Sequence, residues 1–155
     1  MNTVMSWTSY PMNKELILED VIEVAYALAV KYLQYDQPIA EFERARHQID
    51  IGKLESAIRA PFQTSGGTYL IRDFYARAGA LFYYLSKAHA LVNGNKRVAV
   101  TSLMVFMAKN KKWIAIPKER LIELSRMIAY TDRQEKNITI EAISEIIKKY
   151  TENWL

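Results

Sequence analysis

Cysteine is absent from the 155 residues, which excludes disulfides, thiolate metal sites and cysteine nucleophiles. A chain without thiol chemistry suits a reducing compartment, and a cytoplasmic protein is expected. Also missing is any uninterrupted apolar run long enough to span a bilayer. The opening Met1–Trp7 has neither the basic nor the apolar region of a secretory signal, so no membrane partner is expected. The net charge is only +4 and the cations are scattered. That argues against nucleic acid as the partner and suits an acidic protein surface equally well. There is no Gly-x-x-x-x-Gly-Lys loop, no Gly-x-Ser-x-Gly elbow and no His-Glu-x-x-His helix. No internal repeat or low-complexity tract occurs. Histidine is scarce, with only His47 and His89.

What is present reads as one helical domain over residues 1–155, large enough to bury a core. Half of the residues are hydrophobic and a quarter charged, as in ordinary globular chains. Residues 1–12 show no period, and Pro11 closes what reads as a loosely held leader. From Glu15, the residues Ile17, Val21, Val24, Leu28, Tyr32 and Tyr35 fall at helical spacing until Pro38 breaks the run. Ile39 to Ile51 is mixed and carries Glu41, Glu43, Arg44 and Arg46, a charge-laced surface stretch in which His47 reads as an ordinary surface histidine. Lys53 to Ala60 predicts a short helix stopped by Pro61. The one turn-rich segment, Gln63 to Tyr69, holds Gly66-Gly67 and suits a tight hairpin or a plain loop. Asp73 is placed to cap a helix with Phe74, Ala78, Leu81, Leu85 and Ala88 as its buried stripe. From Val98 to Ala108 the chain is apolar nearly all round, which predicts a helix buried at the centre, with Lys109 to Lys112 as its solvated end. Beyond Pro117, Leu121, Leu124, Ser125 and Ile128 mark another helix. Thr139 would cap a last one, with Ile140, Ile143, Ile147 and Tyr150 inward. The expected fold class is all-α: a bundle of about six helices with one short β-hairpin.

Between the two most apolar helices lies His89-Ala90-Leu91-Val92-Asn93-Gly94-Asn95-Lys96-Arg97. Asn95 is a plausible N-cap. Lys96 and Arg97 then fall where the helix dipole disfavours positive charge. One reading is that an anion belongs among them and the free amides, the arrangement proteins use for phosphate. The other is that they are surface cations beside a capped helix. Gly94 removes a side chain where ligand and backbone would come close. Arg97 offers a planar fork to phosphate and Lys96 a point charge, while amides near Gly94 and Asn95 complete an anion nest. His89 is the one general base in the loop, since an imidazole is the side chain suited to taking and returning a proton under physiological conditions.

The pattern His-x-x-x-Asn-Gly-Asn-Lys-Arg resembles the signature of the Fic/Doc superfamily, and its Lys-Arg ending is similar to the Doc (death-on-curing) branch. Gly52-Lys53-Leu54-Glu55-Ser56-Ala57-Ile58-Arg59-Ala60-Pro61 resembles a Doc segment as well. Together the similarity covers Leu16 to Trp113. It implies a Fic/Doc-like bundle in which His89 is the base and Asn93, Gly94, Asn95, Lys96 and Arg97 hold the nucleotide. Thr64, Ser65, Gly66, Gly67 and Thr68 would form a flap, an exposed β edge to which a target segment adds as a strand. It further implies ATP or another nucleoside triphosphate with Mg2+, a translation-factor-class protein substrate, and an antitoxin that covers the nucleotide groove with a helix. The Fic branch has Gly-Arg and a second arginine three residues on, and it transfers a nucleoside monophosphate. Lys96, with Val100 at the second position, points instead to a Doc-like toxin that moves the terminal phosphate.

Two positions depart from the family pattern. Leu91 replaces its aromatic residue. Asn93 replaces its acid, which normally holds Mg2+ or orients the base, and a neutral amide binds that ion poorly. A catalytically silent Fic/Doc fold that binds a partner is therefore the alternative, with Fic-type AMP transfer as a third. The family's inhibitory pattern is approached at Thr131 to Glu135, but Lys136 follows where it requires glycine or asparagine, so built-in inhibition is not expected.

Overall fold

The computed structural model describes residues 15–44 and 49–154. The leader before Pro11 and the surface histidine His47 lie outside the described residues. Within them, α1 (Leu18–Leu33), α2 (Ile39–Arg44) and α3 (Ile51–Arg59) are followed by a hairpin of β1 (Thr64–Ser65) and β2 (Thr68–Tyr69). Next come α4 (Phe74–Ala88), α5 (Asn95–Lys109), β3 (Lys112–Ile114), α6 (Lys118–Ala129), α7 (Lys136–Lys149) and β4 (Thr151–Asn153). The architecture is all-α, as the periodicity predicts. The helices number seven among the described residues, and a second two-stranded sheet, β3 against β4, was not foreseen.

Helices α4 and α5 form the central pair. α4 packs against α3, α5, α6 and α7, and α5 packs against α1, α4 and α6. No residue of α5 from Val98 to Ala108 is exposed, so its apolar surface has neighbours on every side. Phe106 sits between Phe62 and Phe74, with ring centroids 5.4 and 5.3 Å away. Asp73 caps α4 as expected, accepting from the Ala76 amide at 2.9 Å. Asp20 takes the free amide of Ile17 at 3.0 Å and the Lys109 ammonium at 2.7 Å, tying the start of α1 to the end of α5.

Several local expectations are corrected. The end of α5 is not a solvated lysine run. Lys109 is paired, Asn110 is buried with its amide on the Phe106 carbonyl, and Lys112 enters β3. Ile17 and Tyr32 leave the buried stripe because Ile17 precedes the helix and Tyr32 lies in its last turn, at the rim of a cleft. α3 starts two residues before Lys53 because Asp50 caps it, accepting from the Lys53 amide. Thr139 does not cap α7, which begins a turn earlier by continuing the tight turn Arg133–Glu135. Tyr150 follows that helix and is exposed.

Candidate functional site

α4 ends on His89, whose backbone is left-handed at φ 47° and whose ring is exposed. The loop after it is pinned on two sides. The Ala90 carbonyl accepts from the Asp50 amide at 2.6 Å, and Leu91 forms an antiparallel bridge with Ile49. Leu91 therefore anchors the loop against the core, which an aliphatic side chain does as well as a ring. Asn95 completes the clamp. Its Oδ1 accepts from the Leu91 amide at 3.0 Å and its Nδ2 donates to the Leu91 carbonyl at 2.7 Å.

This arrangement corrects the assignment of Asn95 as N-cap. With both polar ends committed to Leu91, its side chain is turned away from the first-turn amides. Gly94 holds the cap position, at φ 83° and ψ 14°. A Cβ added at Gly94 would meet no protein atom within 4 Å, so it is the left-handed φ that requires glycine, and the space in front of it is open. The first bond of the helix runs from the Val98 amide to the Gly94 carbonyl at 2.9 Å. The amides of Asn95, Lys96 and Arg97 precede any helical acceptor. A left-handed residue followed by a right-handed one turns successive N–H groups toward one side, which makes an anion-binding concavity.

Arg97 is exposed, and its guanidinium lies over the ring of Tyr32, 4.4 Å from the centroid. Among the described residues neither Lys96 nor Arg97 is paired with a carboxylate. Asn93, Gly94 and Arg97 line a cleft of about 540 Å³, a volume in the range of small-molecule sites. Its other wall is apolar and aromatic, built from Leu28, Tyr32 and Leu33 of α1 together with Tyr35 and Phe42. Tyr35 and Phe42 meet edge to face at 5.0 Å. His89 and Lys96 stand outside the lining of this cleft.

Thr64 to Thr68 form the exposed hairpin, with Thr64 opposite Tyr69 and Ser65 opposite Thr68. Gly66 and Gly67 turn it at φ 59° and 80°. Its base is held by a group that sequence reasoning missed. Arg77 is buried in α4, its Nη1 donates to the carbonyls of Ile71 and Arg72 at 2.7 and 2.9 Å, and its guanidinium stacks 4.4 Å from the Tyr69 centroid. Burial pulls the arginine below its ordinary pKa. The same burial pushes the Tyr69 phenol up, helped by its hydrogen bond to Glu15 at 2.8 Å. A charge set inside the apolar run Ala76 to Leu85 was the available signal. Tyr32 was equally unannounced, because its spacing matches the buried stripe.

The donor set does not fit a resident magnesium ion. Asn93 offers only a neutral carbonyl oxygen, and no group of three His, Cys, Asp or Glu side chains suited to a metal occurs among the described residues. Among the described residues no helix is long and apolar enough to cross a membrane.

Fold and site together define a helical protein whose buried central helix starts at a left-handed glycine, with a histidine on the loop that leads into it. The model of the Fic/DOC family matches residues 14–107, and the chain belongs to that family. Comparison with curated proteins and with solved structures gives no match. The matched stretch holds the hairpin, the His89 to Arg97 loop and most of α5. It leaves out α6, α7 and the β3–β4 sheet, although α7 packs along α4.

Proposed function

We propose that this protein transfers the terminal phosphate of a nucleoside triphosphate to a hydroxyl of a protein substrate, in the manner of the Doc branch. The observation that carries this reading is the head of α5. There a left-handed glycine, first-turn amides ahead of any helical acceptor and an arginine with no carboxylate partner among the described residues stand at a cleft large enough for a nucleotide. Phosphoryl transfer asks mainly for positioning and charge stabilisation, and these residues offer both. In the proposed step His89 takes the proton of the acceptor hydroxyl. The hydroxyl oxygen bonds to the terminal phosphorus, and the bond from that phosphorus to the bridging oxygen breaks. The nucleoside diphosphate departs with its new negative charge toward the α5 amides and Arg97. The hairpin Thr64 to Thr68 presents a free β edge along which an extended target segment pairs through its backbone. No step is assigned to a metal ion.

The likeness of the Lys96–Arg97 ending to the Doc branch supports a substrate of the translation-factor class, a growth-arrest role and an antitoxin whose helix covers the cleft. Asn93 favours a second reading, a silent Fic/DOC fold that binds a partner. Val100, buried at 1 % exposure where the Fic branch carries its second arginine, sets AMP transfer third.

Incubation with ATP and extract proteins, read by the mass added to the modified target, separates these readings. The chain as it stands should add phosphate, and His89→Ala should lower the rate by about 10²–10⁴-fold while melting at a similar temperature. Equal rates for the two proteins would overturn the proposal. Activity that emerges only in Asn93→Asp would establish the binding reading, and addition of a nucleoside monophosphate would establish the third.

A further inference from the structure

Tyr32 is surrounded by positive charge from three helices. Arg97 of α5 lies 4.4 Å from its ring centroid and Lys31 of α1 lies 5.3 Å from it. Lys118, the first residue of α6, acts on its hydroxyl. The Lys118 charge, then that of Lys31, then hydrogen bonding hold the phenol below its ordinary pKa. None of the three cations is paired with a carboxylate among the described residues. Like charges brought together at a surface repel, and a cation over an exposed ring recovers little of that cost. A cluster of this kind is balanced when an anion sits in it. α5 supplies no further cation on this side, because the position one turn after Arg97 is the buried Val100. The charge that continues the nest therefore comes from α1 and α6.

We propose that Lys31, Arg97 and Lys118 form a second phosphate subsite around Tyr32, taking the outer phosphate of a chain whose inner phosphate lies in the α5 nest. This rests on the reading of that nest as a phosphate cradle. The ligand chemistry is a linear tri- or longer polyphosphate, of which a nucleoside triphosphate is one source. Arg97 is the shared member: it lines the cleft beside Gly94 and also packs on Tyr32, so it bridges the two subsites.

The test is isothermal titration of the whole chain with inorganic tripolyphosphate and with orthophosphate, in salt high enough to screen distant charge. Lys31→Gln with Lys118→Gln is compared with Lys148→Gln with Lys149→Gln, which removes equal charge from α7. Both positions of the first pair are exposed, and thermal melts run in parallel. The Lys31/Lys118 pair should weaken tripolyphosphate about tenfold or more and orthophosphate less than about twofold, and the α7 pair should change neither. Equal loss for both probes, equal loss in both variant pairs, or no loss overturns the subsite. If the unchanged protein binds orthophosphate but tripolyphosphate no more tightly, the subsite alone fails. If it binds neither, the cradle fails with it. Tripolyphosphate binding is read without any transfer reaction, so a silent enzyme does not obscure the result.

Discussion

Asn95 shows how one side chain decides whether the loop has a shape. Its amide closes a ring with both backbone groups of Leu91. Asn95→Ala removes two hydrogen bonds and should cost about 1–3 kcal/mol in urea unfolding. Asn95→Asp keeps the acceptor for the Leu91 amide but sets a carboxylate against the Leu91 carbonyl, and it should be no better than alanine. The sequence made the loop's chemistry legible, since histidine, glycine and paired cations are few and adjacent. It did not reveal which residue caps α5. Asparagine and glycine both suit helix starts, and only the backbone torsions show that Gly94 takes the left-handed cap while Asn95 folds back. Tyr32 escaped notice for a related reason: helical spacing says which side a residue is on, and the last turn of α1 runs past the core on that side.

Among the elements, α4 and α7 approach so closely that Gly79 has no room for a methyl group. A Cβ there would collide with Ser144 Oγ and lie 3.1 Å from the Ile140 carbonyl. Gly79→Ala should therefore destabilise by about 1–3 kcal/mol despite its better helix propensity. Combining it with Ser144→Ala should restore part of the loss, because one obstacle goes and the Ile140 carbonyl stays. A fully additive pair in chemical unfolding would show that the contact is not the cause. The long elements were readable from the sequence, α4 by its period and α5 by being apolar nearly all round. The β3–β4 sheet was not: each strand has only a few residues, and they are drawn from positions separated by two helices. No local pattern announces a partner that distant. Arg77 was masked in the same way, since its acceptors are carbonyls that only the folded turn at Ile71 and Arg72 presents.

For the molecule as a whole, buried phenols set the alkaline limit. Burial pushes Tyr69 and Tyr83 above the ordinary tyrosine value. In the unfolded chain they would ionise near pH 10. Their contribution to stability is complete below that value and is lost as pH rises from there through the folded values. Urea midpoints should hold steady to about pH 9 and fall above about pH 10. Tyr32, held below the ordinary value by Lys118 and Lys31, works in the opposite direction. In an ultraviolet titration its ionisation should come first, and Tyr32→Phe should delete that earliest phase. The all-helical class and the buried helix α5 were thus legible, while the ranking of these tyrosines needed the packing. The left-handed turn at His89 carries one more consequence. Glycine rests in that torsion at no steric cost, whereas a residue with a Cβ does not. His89→Gly should therefore raise the melting midpoint, by the equivalent of about 1 kcal/mol over His89→Ala. A tougher protein would be had by discarding the imidazole, so durability and reactivity compete for a single hinge.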